Sequence, residues 1–290
     1  MFELIDTATA RKWFGRRTGV TGPRGMDPGV PGWSAARFGM RSAFGSASIP
    51  TVDNSYSWLR GAPNYLGMML NGPTPGNPNA PQLGDCTIAA TGHIRQSWAF
   101  NTGGQLWSPT DDNIEDAYCQ ACGYVKGDPS TDAGGNLQTV LKNWMDPGLP
   151  GNAAGNPVDV LLGFFELDPR NLDDVHEAIA WCGGLYCAGA LPESWMSWSP
   201  GQVWDVAEEG TEGHCISFFG SDKGVRKTCV SWGFEIDVTD DAFAYYITEC
   251  YAPISLDWVM KTGVTPFKAP LPMIEAQFTK IAAAPPQLAA

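Results

Sequence analysis

The sequence predicts an α+β protein in which a helical part precedes a sheet part. Two observations carry that reading. In "NLQTVLKNWM", Leu137, Val140, Leu141, Trp144 and Met145 fall at i, i+3, i+4, i+7 and i+8, the stripe of an amphipathic helix. From residue 185 onward the apolar segments become short and turn-bounded: "LYCAGAL", "HCISFFG", "RKTCVSWG" and "YAPISLDWV" read as strands. Helices first and strands second is the order of an α+β domain with two packed lobes.

Residues 1–75 come first and look unlike the rest. They are dense in Gly, Pro, Ser and Arg, and no helical or alternating period persists in them. Alone, such a segment cannot bury enough surface to offset its ordering entropy. It is expected to be an extended N-terminal arm. Arm and body differ in charge. Residues 1–75 sum to +4 and residues 76–290 to −17, within a total of −13. A basic arm on an acidic body suits an acidic protein surface, and the acidic body argues against nucleic acid as a ligand. Arg11, Arg16, Arg17, Arg24, Arg37 and Arg41 are the expected partner-binding residues.

The body, residues 76–270, opens with "DCTIAATGHIRQSWAF", a helix N-capped by Asp85 with Ile88, Ile94 and Trp98 on its buried side. "NLQTVLKNWM" is the second helix. "NLDDVHEAIAWCGG" is the third, capped by Asn171, acidic in its first turn and stopped by glycines. After the first three strands, "TDDAFAYYITEC" reads as a short helix before the last one. Residues 271–290 form a low-complexity tail. Apolar residues make up 43% of the 290, enough for a sizeable core. No apolar run is long enough for a membrane span, and the N-terminus lacks the apolar region of a secretory signal. The eight cysteines sit mostly in apolar patterns and read as buried free thiols. Cys119 and Cys122 form a lone CxxC without a second pair, so neither metal nor cofactor is expected.

One pair of residues points to chemistry. Cys86 lies at a helix start, where unpaired N–H groups and the helix dipole favour a thiolate and lower the thiol pKa. A nucleophilic cysteine also needs a base. His93 is seven residues along the same helix, about 10 Å away, and cannot be that base. His176 stands among acids and reads as a solvated side chain. His214, at the head of a strand, is the remaining candidate. A cysteine on a helix and a histidine at a strand end also have a plain packing reading.

"QLGDCTIAA" resembles the Q-x-G-x-C helix start of papain-like cysteine peptidases. "GGNLQTVLKNW" resembles the helix that follows a Gly-Gly in that family, "GHCISFFG" its G-H-A-V strand, and "VSWG" its N-S-W-G turn. The order matches over roughly residues 80–260. The whole pattern is also similar to papain-like proteins of unassigned role from tailed phages and prophages. The resemblance implies a papain-like two-lobe fold, Cys86 as nucleophile and His214 as base, with possible support from Gln82 and a shielding role for Trp232. It also exposes two departures. The family's oxyanion-donating glutamine falls on Ala80, and its histidine-orienting asparagine falls on Val230, which cannot accept a ring N–H. Loss of one oxyanion donor typically costs about 10²–10³ in turnover. Asp222 or Asp237 would have to replace the orienter.

The expectation is therefore a phage virion-associated or assembly protein with an incomplete catalytic apparatus. Its arm would join a protein partner such as a capsid or connector subunit, in the virion or the host cytoplasm. The alternative is an active cysteine hydrolase with a peptide substrate. Neither reading calls for nucleic acid or a membrane.

Overall fold

The computed structural model describes residues 52–59, 83–104, 106–196, 201–210, 212–231 and 234–266. In chain order the elements are β1 (Ser55–Ser57), α1 (Cys86–Gly103), α2 (Asp111–Cys122), α3 (Leu137–Met145), β2 (Leu149–Pro150), β3 (Val158–Asp159), β4 (Leu161–Glu166), α4 (Leu172–Cys182), β5 (Leu185–Leu191), α5 (Glu193–Met196), β6 (Glu212–Asp222), β7 (Arg226–Ser231), β8 (Phe234–Thr239), α6 (Asp240–Tyr246), β9 (Ile247–Ser255) and α7 (Leu256–Thr262). A seven-stranded sheet runs β4-β9-β5-β6-β7-β8, with β1 added to β6. Every pairing in this sheet is antiparallel.

Strand alternation divides the interior into two cores. Cys215 and Phe219 of β6, Tyr186 of β5, Val230 of β7 and Tyr251 of β9 face one side, with Ile88, Ile94 and Trp98 of α1 and Val140, Leu141 and Trp144 of α3. Ile216 and Phe218, Cys187, Cys229 and Cys250 face the other, with Val175 and Ile179 of α4 and Phe243 of α6. These buried strands lack a polar alternation because both faces are covered.

The helix ends follow their sequence signals. Asn171 accepts a hydrogen bond from the Asp174 amide, and Gly183 closes α4 with φ 74°. Asn136 caps α3 through the Thr139 amide. Asp85 stands at the N-cap of α1, but its side chain makes no capping bond. Nor is α1 amphipathic as expected: most of residues 87–99 are buried around the whole circumference, because the helix runs through the middle of its lobe.

Its polar side chains are therefore partnered inside. Arg95 donates to the carbonyls of Pro150, at 2.7 Å, and Gly151. It also lies 3.9 Å from Asp159, which in turn accepts from the Trp144 indole at 2.6 Å. Burial pushes the Asp159 carboxyl up to about 6, against the pull of the Arg95 guanidinium.

Three expectations need correction. "YAPISLDWV" is not one strand: β9 ends at Ser255, whose hydroxyl caps α7 by accepting from the Trp258 amide at 3.0 Å. "TDDAFAYYITEC" is helical only to Tyr246, and Ile247 already belongs to β9. His176 is not solvated but 2% exposed. Its Nδ1 lies 2.8 Å from Ser221 Oγ and its Nε2 3.1 Å from the Asp53 carbonyl.

His176 also shows where the arm meets the body. β1 continues the line of β5 along β6, pairing Ser57 with Gly220 just past the Leu185–Phe218 pair. Tyr56 packs on the His176 ring at 5.1 Å, and the Trp58 indole donates to the Ile179 carbonyl at 3.0 Å. Residues 55–57, within the segment assigned to the arm by composition, are thus part of the sheet. The six arm arginines lie outside the described residues.

Candidate active site

The site is built where the start of α1 meets the start of β6. Two bonds seat the helix on the sheet. Tyr186 of β5 donates its hydroxyl proton to the Thr87 carbonyl at 2.8 Å, and Ser217 of β6 donates to the Ala90 carbonyl at 2.7 Å. The Gly84 amide, just before the helix, donates to both Asp132 carboxylate oxygens at 3.1 and 3.0 Å. Asp132 is held in turn by the Tyr118 hydroxyl at 2.6 Å. The chain entering Cys86 is therefore fixed from both sides.

Cys86 is partly buried and carries a free thiol. It lies near Cys215 and Tyr186, and the backbone amides of Cys215, Thr87 and Cys86 itself favour its charged form. The expected lowering of the thiol pKa is not found. Burial raises it, and the neighbouring Asp85 carboxylate adds to the rise, against the opposing pull of the three amides.

His214 is partly buried, and burial lowers its pKa to about 4. Its Nε2 lies 2.9 Å from Ser231 Oγ. The ring position is thus fixed by a hydroxyl, not by the residue at 230. Alternation gives the reason. Ser217 pairs with Val230, so these two share the face turned to α1. His214, three residues from Ser217, and Ser231, next to Val230, both fall on the opposite face. Val230 is 1% exposed in the α1-side core and faces away from the imidazole. Asp222 and Asp237, the proposed replacements, are instead both bound by Arg226 at 2.9 Å. Ser231 was the residue missed; only the strand register could have revealed it. Ala80, Gln82 and Trp232 lie outside the described residues.

Two further groups, not read as part of the site from the sequence, shape it. Cys122 of α2 lies beside Thr87, and burial pushes its thiol up to about 11. Gly135 packs so closely here that a Cβ would stand 2.3 Å from Thr87 Oγ1 and 2.7 Å from Cys122 Sγ. Gly135 before α3 is thus a steric requirement of the first turn of α1.

Solved structures share this arrangement of helices and sheet. Digestive procathepsin L 3 of the Tenebrio molitor larval midgut matches with a TM-score of 0.51 at 15% identity, over 72% of this chain and 72% of that one. Xylellain, a cysteine protease from Xylella fastidiosa, gives 0.51 at 11%, over 74% and 89%. The proform of Amb a 11, a cysteine protease and major ragweed pollen allergen, gives 0.52 at 13%, over 79% and 72%. The fold is papain-like. No protein-family model and no curated protein matches the chain by sequence. In this fold α1 carries Cys86, and β6 and β7 carry His214 and Ser231.

Proposed function

We propose that the protein is a cysteine hydrolase acting on peptide or related acyl bonds, with Cys86 as nucleophile, His214 as base and Ser231 as the group that positions His214. One observation carries this reading. The Cys86 thiol lies near Cys215, the strand neighbour of a histidine whose Nε2 is 2.9 Å from the hydroxyl of the buried Ser231. A thiol at a helix start and an imidazole with a positioned ring are the parts that a nucleophile–base pair needs.

The resting pair is neutral, because the thiol pKa is raised and that of the imidazole lowered. The proton therefore moves during attack, not before it. With Nε2 on Ser231, the thiol proton passes to Nδ1 as sulfur bonds to the acyl carbon. The carbonyl π electrons move to oxygen, and a backbone N–H at the start of α1, released from the reacting sulfur, donates to the developing oxyanion. Collapse of the adduct expels the amine or alcohol, which takes the proton from His214. Water then attacks the thioester with His214 again as base. The acid leaves, and the proton returns to sulfur.

The test is turnover of fluorogenic peptide amides and esters by the full chain, beside Cys86→Ala and His214→Ala. The proposal requires product from the parent chain and its loss in both variants.

The charge contrast between residues 1–75 and 76–290 favours a second reading, in which the fold is a rigid body and the arm joins a capsid or connector subunit of a tailed phage. Absence of turnover together with capture of such a subunit by the full chain, but not by a chain lacking residues 1–51, would support that reading.

A further inference from the structure

Two cysteines face each other inside the sheet. Cys187 of β5 and Cys250 of β9 are directly paired on antiparallel strands, and the register shifts only beyond them, between Ala188 and Gly189. The Cys187 thiol donates to the Cys250 sulfur at 3.3 Å. The Cys250 carbonyl accepts from the Leu167 amide at 2.9 Å, on the β4 side of β9. In an antiparallel ladder the N–H and C=O of one residue point to the same neighbour, so neither group of Cys250 turns to β5. The pair is therefore of the non-hydrogen-bonded kind, with Cα atoms about 4.5 Å apart and the side chains close. That spacing falls within the range of disulfides, about 4.4–6.8 Å. From their 3.3 Å contact the sulfurs need to approach by about 1.3 Å to reach bonding distance.

The pair backs the contact between sheet and helices. Both side chains are fully buried in the core on the α4 and α6 side. The adjacent Tyr186 and Tyr251 pair with each other and turn to the opposite face. There Tyr186 donates to the Thr87 carbonyl of α1 at 2.8 Å, and Tyr251 accepts from Gln138 Nε2 of α3 at 3.0 Å. One short stretch of ladder thus carries two cysteines on one face and seats two helices on the other. Burial, with the Cys250 thiol beside it, pushes the Cys187 thiol pKa well up. Once the core has closed, this thiol stays protonated and is a poor nucleophile.

We infer that Cys187 and Cys250 are a modification site, joined during folding under oxidising conditions into a cross-strand disulfide that staples β5 to β9. The co-reactant is a low-molecular-weight disulfide. One cysteine thiolate attacks a sulfur of that molecule and forms a mixed disulfide, as one small thiolate leaves. The other cysteine thiolate attacks the protein sulfur of the mixed disulfide, and the second small thiolate leaves. The two cysteines lose two electrons, the small disulfide gains them, and the two cysteine protons end on the released thiols. Exchange precedes closure of the core, because the folded chain buries both sulfurs. The bond closes a loop spanning 63 positions of sequence, so it constrains the unfolded chain strongly. The inference is independent of the hydrolase reading, because both sulfurs lie on the face of the sheet turned away from α1.

The test refolds the full chain from urea in a mixture of oxidised and reduced glutathione, and in parallel with a phosphine reductant. Remaining thiols are alkylated in denaturant, and linked peptides are mapped by mass spectrometry. The glutathione sample should contain a peptide pair joined through Cys187 and Cys250, lighter by two hydrogens than the sum of its thiol forms, and the reduced sample should not. Its Tm should lie about 5 °C or more above that of the reduced sample. In the double variant Cys187→Ala, Cys250→Ala the two buffers should give the same Tm. Should that variant not fold, denaturing and reducing the oxidised parent chain and refolding it with the phosphine must restore the lower Tm. Alkylation of both cysteines after refolding with glutathione, links from either to other cysteines in equal yield, or a rise in Tm retained by the double variant overturns the inference.

Discussion

His214 Nε2 lies 2.9 Å from Ser231 Oγ, across two strands whose register turns the neighbouring Val230 to the opposite face. The hydroxyl accepts from Nε2–H or donates to an unprotonated Nε2, so it can hold either neutral tautomer, and only the first leaves Nδ1 as a base. A serine is therefore a workable but less selective partner than an amide carbonyl.

Ser231→Ala should lower kcat for peptide esters about tenfold to a hundredfold with little change in KM, since loss of a bond to a partly buried polar group costs roughly 1–3 kcal/mol. Val230→Asn should not raise activity. It buries an amide in the α1-side core and should destabilise the fold by about 1–3 kcal/mol, seen as a lower Tm. An unchanged kcat in Ser231→Ala would remove the positioning role.

The pH profile should reflect the His214 pKa of about 4. Below that value the imidazole is protonated and cannot accept the thiol proton, so kcat/KM should fall as pH drops through about 4, with no inflection near 6.5. Stability follows the same group. His214 and His93 both titrate at about 4 in the fold, against 6.5 as ordinary values. Between these values the unfolded chain binds more protons, so stability is fully present above pH 6.5 and is lost as pH falls toward 4. The slope is about 1.4 kcal/mol per pH unit for each histidine. The raised Asp159 works against it, because its fold takes up a proton below about 6. His93→Gln should flatten the loss measured by urea denaturation between pH 6.5 and 4.

Gly135→Ala should damage the site at a distance from the reacting atoms. Its Cβ would collide with Thr87 and Cys122, and the strain, about 1–3 kcal/mol, falls on the first turn of α1. Alkylation of Cys86 by iodoacetamide and peptide turnover should both slow, while far-ultraviolet circular dichroism stays native. An unaltered rate would mean that the helix start yields without moving the thiol.

Two truncations should separate the arm from the strap. Removal of residues 1–51 should leave Tm close to that of the full chain. Removal of residues 1–59 also deletes β1, the His176–Asp53 bond and the Trp58 packing on Trp258 at 5.4 Å. That loss should cost about 3 kcal/mol or more, the scale of deleting one large aromatic side chain.

Much of this was legible in the sequence where one local signal sufficed. α3 and α4 stand out by period and caps, and β5, β6 and β7 by short apolar runs. β4, "LLGFFE", was missed although it is an apolar run of the same kind. His176 was misread because its acidic neighbours Asp173 and Asp174 occupy the first turn of α4, while residue 176 turns inward with Val175 and Ile179. Cys86 and His214 stand out as candidates by the motifs around them. Ser231 does not, because its role depends on a cross-strand register and on a helix that claims Val230 for the other face.

The most direct test of the account is to locate the acyl group on the protein. The full chain is mixed briefly with a peptide p-nitrophenyl ester, quenched in acid, digested and mapped by mass spectrometry over all eight cysteines. The account predicts a thioester on Cys86, absent over the same time in His214→Ala and slower to form in Ser231→Ala. No adduct, or adducts spread evenly over the other cysteines, would contradict it.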